Sequence, residues 1–284
     1  MSLSILYEGV ECAGKSTQAQ LLKFVFDKIG YSPILSVREP GGTKLGVVIR
    51  EILLGEDFKK MDPASRSLLY TASRNELLKT VVYPFMKENP NGIVIGDRSW
   101  PSTLALQTSD GDNKDYVYEL NKPFIKNYPD KIFYIDIPPE EIKARLILAS
   151  ENGREINWRD KQNFEKFVQE RQNYLGLVSN DRDRFVLVDG LYEPWSLTLR
   201  AARFALDLLE QTEQVKEAKR KLAADGLEIT DIIKEQFDPK NFIRLDSIRK
   251  ELGIDDLHSL RKEMYHEWNR LGFSEQKVSG VERL

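Results

Sequence analysis

Five short apolar runs punctuate the chain, at residues 3–7, 33–37, 92–96, 131–137 and 184–188. Runs of that length, rich in branched and aromatic residues, read as buried strands. Between them apolar residues return at helical spacing, as in Leu21, Leu22, Val25 and Phe26. Gly30 stands where the first helix should stop, in the place a left-handed C-terminal residue takes. Pro138-Pro139-Glu140-Glu141 opens another helix, with proline early and acids in the first turn. Five buried strands alternating with helices predict a parallel, doubly wound α/β sheet. Ligands of such sheets sit beyond the carboxyl ends of the strands. Residues 9–16, Arg38-Glu39 and Asp97-Arg98 all fall there.

Beyond the fifth run the pattern turns wholly helical. One long helix is predicted from Pro194 to about Ala224, apolar at first (Leu197, Ala201, Phe204, Ala205, Leu208), then charged, with Gly226 ending it. Residues 246–252 and 256–271 read as two further helices joined at Gly253. Leu257, Leu260, Met264, Trp268 and Leu271 follow one helical face. The expected division is a first domain over residues 1–209 and a small all-α module over 210–284.

Composition narrows the class. Apolar residues make up 41% of 284, enough for a packed core, and the net charge is −3. That charge argues against a surface that coats nucleic acid. The one cysteine, Cys12, rules out an internal disulfide framework. No run approaches the roughly 18 apolar residues of a membrane span, and no signal peptide precedes the first strand. A cytoplasmic protein is expected. Both histidines, His258 and His266, lie in the tail, so chemistry based on histidine is not expected.

The chemistry is announced by Gly9-Val10-Glu11-Cys12-Ala13-Gly14-Lys15-Ser16, a complete G-x-x-x-x-G-K-[ST] loop between a strand and a helix that begins with Thr17. Its glycines let backbone N–H groups face phosphate oxygens at a helix N-terminus. Lys15 can reach the β- and γ-phosphates of a nucleotide, and Ser16 can hold Mg²⁺. At the end of the third strand, Asp97 can bind Mg²⁺ and Arg98 can grip a phosphate. The polar, glycine-containing stretch 149–160 carries Arg154 and Arg159. By composition it suits a mobile lid or an ordinary solvated loop equally well.

Five ordered segments carry a family resemblance. They are Glu8-Gly9-Val10-Glu11-Cys12-Ala13-Gly14-Lys15-Ser16-Thr17, Arg38-Glu39-Pro40-Gly41-Gly42-Thr43, Leu68-Leu69-Tyr70-Thr71-Ala72-Ser73-Arg74, the run from Asp97-Arg98 to Gln107, and Tyr134-Ile135-Asp136-Ile137-Pro138-Pro139-Glu140-Glu141. Over residues 3–209 the chain resembles the thymidylate kinases, which move the γ-phosphate of ATP to dTMP. The resemblance implies a five-stranded P-loop NTPase sheet with flanking helices and a lid, ATP and Mg²⁺ as cofactors, and a homodimer. It implies that Tyr70 stacks on the thymine, where the family usually has Phe. Arg74 would hydrogen-bond the base, helped by Ser102 or Thr103 and Gln107. Arg98 would hold the dTMP phosphate with Arg38, and Glu11 would approach the sugar 3′-hydroxyl and the Mg²⁺ shell. Since this phosphate loop has no Arg, Arg154 or Arg159 should supply the catalytic charge from the lid. Ser99, Trp100 and Leu106 depart from the family pattern beside the sugar and base pocket.

Two other readings stand beside this one. A deoxynucleoside kinase, or another nucleoside monophosphate kinase, could use the same scaffold. A regulatory ATP-binding protein could work through the tail, whose residues 244–272 faintly suggest a helix-turn-helix. From Glu210 onward the tail has 14 Lys and Arg against 16 Asp and Glu, a poor balance for a phosphate-binding face. Nucleic acid is therefore an unexpected partner. The Cys12 thiol, beside Lys15 and a helix N-terminus, is expected to be unusually acidic.

Overall fold

The computed structural model describes residues 2–234, 236, 239–254 and 256–273. Its strands are β1 (Leu3–Glu8), β2 (Ile34–Arg38), β3 (Ile93–Asp97), β4 (Lys131–Asp136) and β5 (Phe185–Asp189). All pair in parallel, in the order β2-β3-β1-β4-β5. β1 is buried along its whole length, as a central parallel strand covered by helices on both faces must be. The register sets Tyr7 and Arg38 each opposite Asp97. Three strands thus end at one level, and their last side chains share one rim.

Helices α1 (Lys15–Lys28), α2 (Lys44–Leu54), α3 (Pro63–Leu77) and α4 (Tyr83–Glu88) precede β3. α5 (Trp100–Ser109) and α6 (Lys114–Ile125) join β3 to β4; α7 (Pro139–Glu151) and α8 (Phe164–Asn180) join β4 to β5. α1 ends as expected: Gly30 is left-handed at φ 75°, and the Tyr31 N–H closes on the Phe26 carbonyl at 2.9 Å. Trp100 is core, with its Nε1 donating to the Tyr128 carbonyl at 3.0 Å.

The predicted long helix is two helices. α9 (Pro194–Leu208) stops, and α10 (Glu213–Asp225) restarts. The Thr212 hydroxyl accepts from the Val215 N–H at 3.4 Å as an N-cap, with Glu213 in the first turn. The break turns α10, which reads as charged, so that Val215 and Ala218 enter the core. α11 (Ile229–Lys234), α12 (Pro239–Glu251) and α13 (Leu257–Arg270) follow.

The extension shares the hydrophobic core of the sheet. Val215, Ala218, Ile232, Ile233, Met264 and Trp268 lie in one cluster with Ile5, Ile95 and Tyr134. α13 crosses the carboxyl ends of β4 and β5. Its Trp268 Nε1 donates to Asp136 at 2.7 Å, and Arg261 and Tyr265 donate to Asp189 at 2.8 and 2.7 Å. Arg171 forks onto the same Asp136 carboxylate with two contacts of 2.7 Å.

Candidate active site

The loop after β1 turns tightly at Gly9, where a Cβ would meet the Ile135 carbonyl oxygen at 2.7 Å. Gly14 is left-handed at φ 99° and caps α1. The Lys15 Nζ is folded back to donate to the Val10 carbonyl at 2.6 Å, so the loop is already curled around its own cation. Burial and the neighbouring Arg98 lower the Lys15 pKa to about 8, against the pull of Glu11, Asp97 and Glu8.

Ser16 donates to Asp97 Oδ2, and the Arg38 Nε lies 3.5 Å from the same oxygen. The other oxygen, Asp97 Oδ1, is buried without a hydrogen-bond partner. A hydroxyl beside a half-satisfied carboxylate is a donor set that fits Mg²⁺, which takes one or two protein oxygens and completes its shell with phosphate and water. Among the described residues there is no cluster of three or more His, Cys, Asp or Glu side chains suited to an all-protein metal cage.

One cleft opens beside this loop. Its wall includes Glu11, Arg38, Tyr70, Arg74, Arg98, Ser102, Thr103, Gln107, Arg154 and Arg159. All the expected acceptor residues are thus brought together. Arg98 sits at φ 71°, a left-handed backbone that turns its side chain back toward the phosphate loop. Its Nη2 donates to Glu11 at 2.6 Å, and its Nη1 to Ser102 at 2.9 Å and to the Gly9 carbonyl at 3.3 Å. Burial raises the Glu11 carboxyl, but Arg98, Lys15, Arg159 and Arg154 outweigh it and bring the pKa to about 2.

Arg74 is fully buried, and its whole fork is engaged. Nε donates to Glu39 at 2.7 Å, Nη2 to Thr103 at 2.8 Å and Nη1 to Asn121. Gln107 is the opposite case: it is 0% exposed, and both amide atoms lack a hydrogen-bond partner.

Residues 149–160 are closed over the cleft. Arg154 donates to the Cys12 thiol at 2.8 Å and to Asp160 at 2.6 Å, and lies 3.6 Å from Glu11. Arg159 is tied down in the cleft wall, on Asp110 at 2.9 Å and Glu170 at 3.0 Å. Trp158 is flanked by the Arg66 and Arg159 guanidinium groups at 4.5 and 5.0 Å. The two arginines that looked alike in sequence therefore differ. Arg154 touches the phosphate loop, and Arg159 holds the lid to α5 and α8. Burial pushes the Cys12 thiol up, against Arg154 and Lys15; the expected acidic thiol is corrected, because the pocket that brings the cations near also removes water.

Sequence reasoning placed Glu8 and Glu39 at strand ends but gave no role to these buried carboxylates beneath the site. Glu8 accepts from the Ser99 N–H at 2.6 Å, the Ser102 hydroxyl at 2.6 Å and the Tyr174 hydroxyl at 3.0 Å. Glu39 holds Arg74 and accepts from Ser99 at 3.2 Å. Burial raises both carboxyls. Their signal was present: each stands beside a singled-out residue at a strand end.

The family described as Thymidylate kinase matches residues 7–193. The chain is 32% identical over 212 residues to a thymidylate kinase of Mycoplasma capricolum, covering 74% of this chain and 97% of that one. It is 35% identical over 192 residues to one of Caldanaerobacter subterraneus, covering 66% and 88%. The crystal structure of thymidylate kinase from Ehrlichia chaffeensis is similar in fold, with a TM-score of 0.52, 26% identity, and coverage of 66% of this chain and 91% of that one. Sequence, sheet order and phosphate loop agree: this chain belongs to the thymidylate kinase family.

Proposed function

We propose that the protein transfers the γ-phosphoryl group of ATP to the 5′-phosphate of dTMP, giving dTDP. The observation that carries this is the gathering of Arg38, Arg50, Arg98 and Arg154 with Tyr70 and Gln107 in one cleft against the phosphate loop. That many cations suit an acceptor that already bears a phosphate, and so favour a monophosphate over a nucleoside. Tyr70 offers an aromatic face and Gln107 an amide able to read a base edge.

Phosphoryl transfer asks the protein for position and charge rather than covalent chemistry. Lys15 leaves the Val10 carbonyl for the β- and γ-phosphates. Arg98, set by Glu11 and Ser102, holds the acceptor phosphate in line, and Arg38 assists it. Arg154 extends from the lid onto the transferring group, where negative charge spreads in the transition state. Ser16 and Asp97 would hold Mg²⁺, which supplies neutralisation of the β- and γ-oxygens when bound. Trp158 and Arg159 keep the lid shut and water out.

A homodimer is part of the proposal. Leu45, Val47 and Val48 on α2 and Leu68 on α3 are about half exposed, an apolar surface on two adjacent helices that a second copy would cover. No helix among the described residues is long and apolar enough to cross a membrane. The cytoplasm, where ATP is plentiful, is the proposed place of action, and nucleic acid is not a proposed partner.

The test is an acceptor comparison with ATP and Mg²⁺. dTMP should exceed thymidine, dUMP and dCMP in kcat/KM. Thymidine as the better acceptor would overturn the reading in favour of a nucleoside kinase.

A further inference from the structure

α12 lies along α7, joined to it at both ends and in the middle. At the start of α7, Arg249 donates to the buried Glu141 carboxylate at 2.9 and 2.5 Å. Arg145, one turn on, donates to that carboxylate at 2.7 Å and to the carbonyls of Ala13 at 3.4 Å and Gly190 at 2.6 Å. In the middle, Leu245 and Ile248 bury against Ala144, with Ile147 and Leu148 beside them. At the end of α7, Arg244 forks onto Glu151 at 2.8 and 2.6 Å and is braced by Glu251 at 2.8 Å. Asn241 meets Asn152 at 3.3 Å.

Arg154 follows directly. Its N–H closes on the Ala149 carbonyl of the last turn of α7 at 2.9 Å, so its backbone moves with that helix. α7 and the turn after it therefore bring two arginines to the phosphate loop, Arg145 from the middle of the helix at Ala13 and Arg154 from just past its end at Cys12. Each end of α7 is gripped by an arginine of α12.

We infer that α12 is a splint for α7 that sets the reach of Arg154 onto the phosphate loop, with Arg244 and Arg249 as positioning residues for phosphoryl transfer. The inference rests on the reading of Arg154 as the lid charge. An aliphatic seam alone would hold two helices together without fixing their axial register. Two bidentate guanidinium–carboxylate pairs, one at each end, fix it. The Mycoplasma capricolum relative is matched over 97% of its length but covers 74% of this chain, so it has almost no residues left to form such an extension. α12 lies outside residues 7–193, the part of this chain that the family model matches.

The Arg244–Glu151 pair is the informative one to break. Both side chains are 40% exposed, so the pair contributes little to stability, and its loss should shift the lid without unfolding the protein. In full-length enzyme, kcat, the KM values for ATP and dTMP, and the melting temperature are measured for Arg244→Glu, Arg154→Ala, the two combined, and the swapped pair Arg244→Glu with Glu151→Arg. Arg244→Glu should lower kcat roughly tenfold, a smaller loss than the roughly 10²-fold of a group misplaced by about 1 Å, with KM for dTMP within about twofold. The swap should restore kcat. Arg244→Glu should cost nothing further once Arg154 is gone, because coupled residues are not additive. Full kcat in Arg244→Glu, a swap that fails to rescue, or a fully additive loss in the combined variant each overturns the splint. Full kcat in Arg154→Ala overturns the lid reading and this inference with it. A low kcat in Arg154→Ala beside a full kcat in Arg244→Glu removes the splint alone.

Discussion

Gln107 offers a substitution whose effects on stability and on activity should have opposite signs. Its side chain is 0% exposed, and neither amide atom has a hydrogen-bond partner, although it lines the cleft with Tyr70 and Thr103. An unpaired buried amide costs about 1–3 kcal/mol. Gln107→Leu removes that cost at similar volume, so the protein without ligand should gain about 1–3 kcal/mol. For a chain of this size each kcal/mol is worth about 2–4 °C in Tm, a shift that differential scanning fluorimetry resolves easily. With dTMP the effect reverses. The amide proposed to read the base edge is gone, the base is left unpaired, and kcat/KM for dTMP should fall about 10- to 100-fold. KM for ATP should stay put, because Gln107 does not touch the phosphate loop. Coupled ADP-release kinetics at varied dTMP reads this directly. A Leu variant that melts lower and keeps its kcat/KM would show that Gln107 is a packing residue, and the base pocket would have to be placed elsewhere.

Other changes test the rest of the site. Lys15→Ala should cost on the order of 10² to 10³ in kcat with an unchanged circular dichroism spectrum; wild-type turnover in a folded variant would move the phosphate site. Arg154→Ala should lower kcat far more than it raises KM, while Arg159→Ala, by taking the guanidinium from the buried Glu170 and leaving Asp110 to Lys166 and Arg66, should also lower Tm; equal Tm losses in the two would erase the distinction drawn between them. Burial pushes the Glu170 carboxyl up from 4.5 to about 7, with Arg159 opposing and Glu11 and Asp110 adding to the shift. Between those values the unfolded chain has released this proton and the native state has kept it, so this group's contribution to stability falls as pH rises. The stability of wild type minus that of Glu170→Gln should decline from pH 4.5 to 7, and a difference that grows instead would mean the Arg159 ion pair governs the group.

The parts of the fold that could be read early are those written in local pattern. Five strands lie within a residue or two of their apolar runs, because a central parallel strand such as β1 must be apolar on both faces and shows it continuously. The α9–α10 break was hidden for the converse reason. One helical period runs through 194–224, and the signal against it is a single hydroxyl at Thr212. Such a cap is worth about 1 kcal/mol, too little to stand out beside so regular a pattern. The burial of Val215 and Ala218 then depends on the angle that break introduces.

The site divides along the same line. Lys15, Ser16, Asp97 and Arg98 are tied to the ends of β1 and β3, so their meeting follows once the strands are placed in parallel. The difference between Arg154 and Arg159 does not follow, since five residues of one loop send two identical side chains to different partners, Cys12 and Asp160 for one, Asp110 and Glu170 for the other. Those partners lie on the phosphate loop, in the lid itself, just after α5 and on α8. Nothing in the loop's own composition encodes that choice. The same holds for α12. Its arginines look like surface charges spaced along a polar helix, and only the neighbouring α7, with an acid at each end of the matching face, turns them into a clasp. Charge at these positions is therefore informative in pairs across elements, and a lone arginine read along the chain carries almost none of that information.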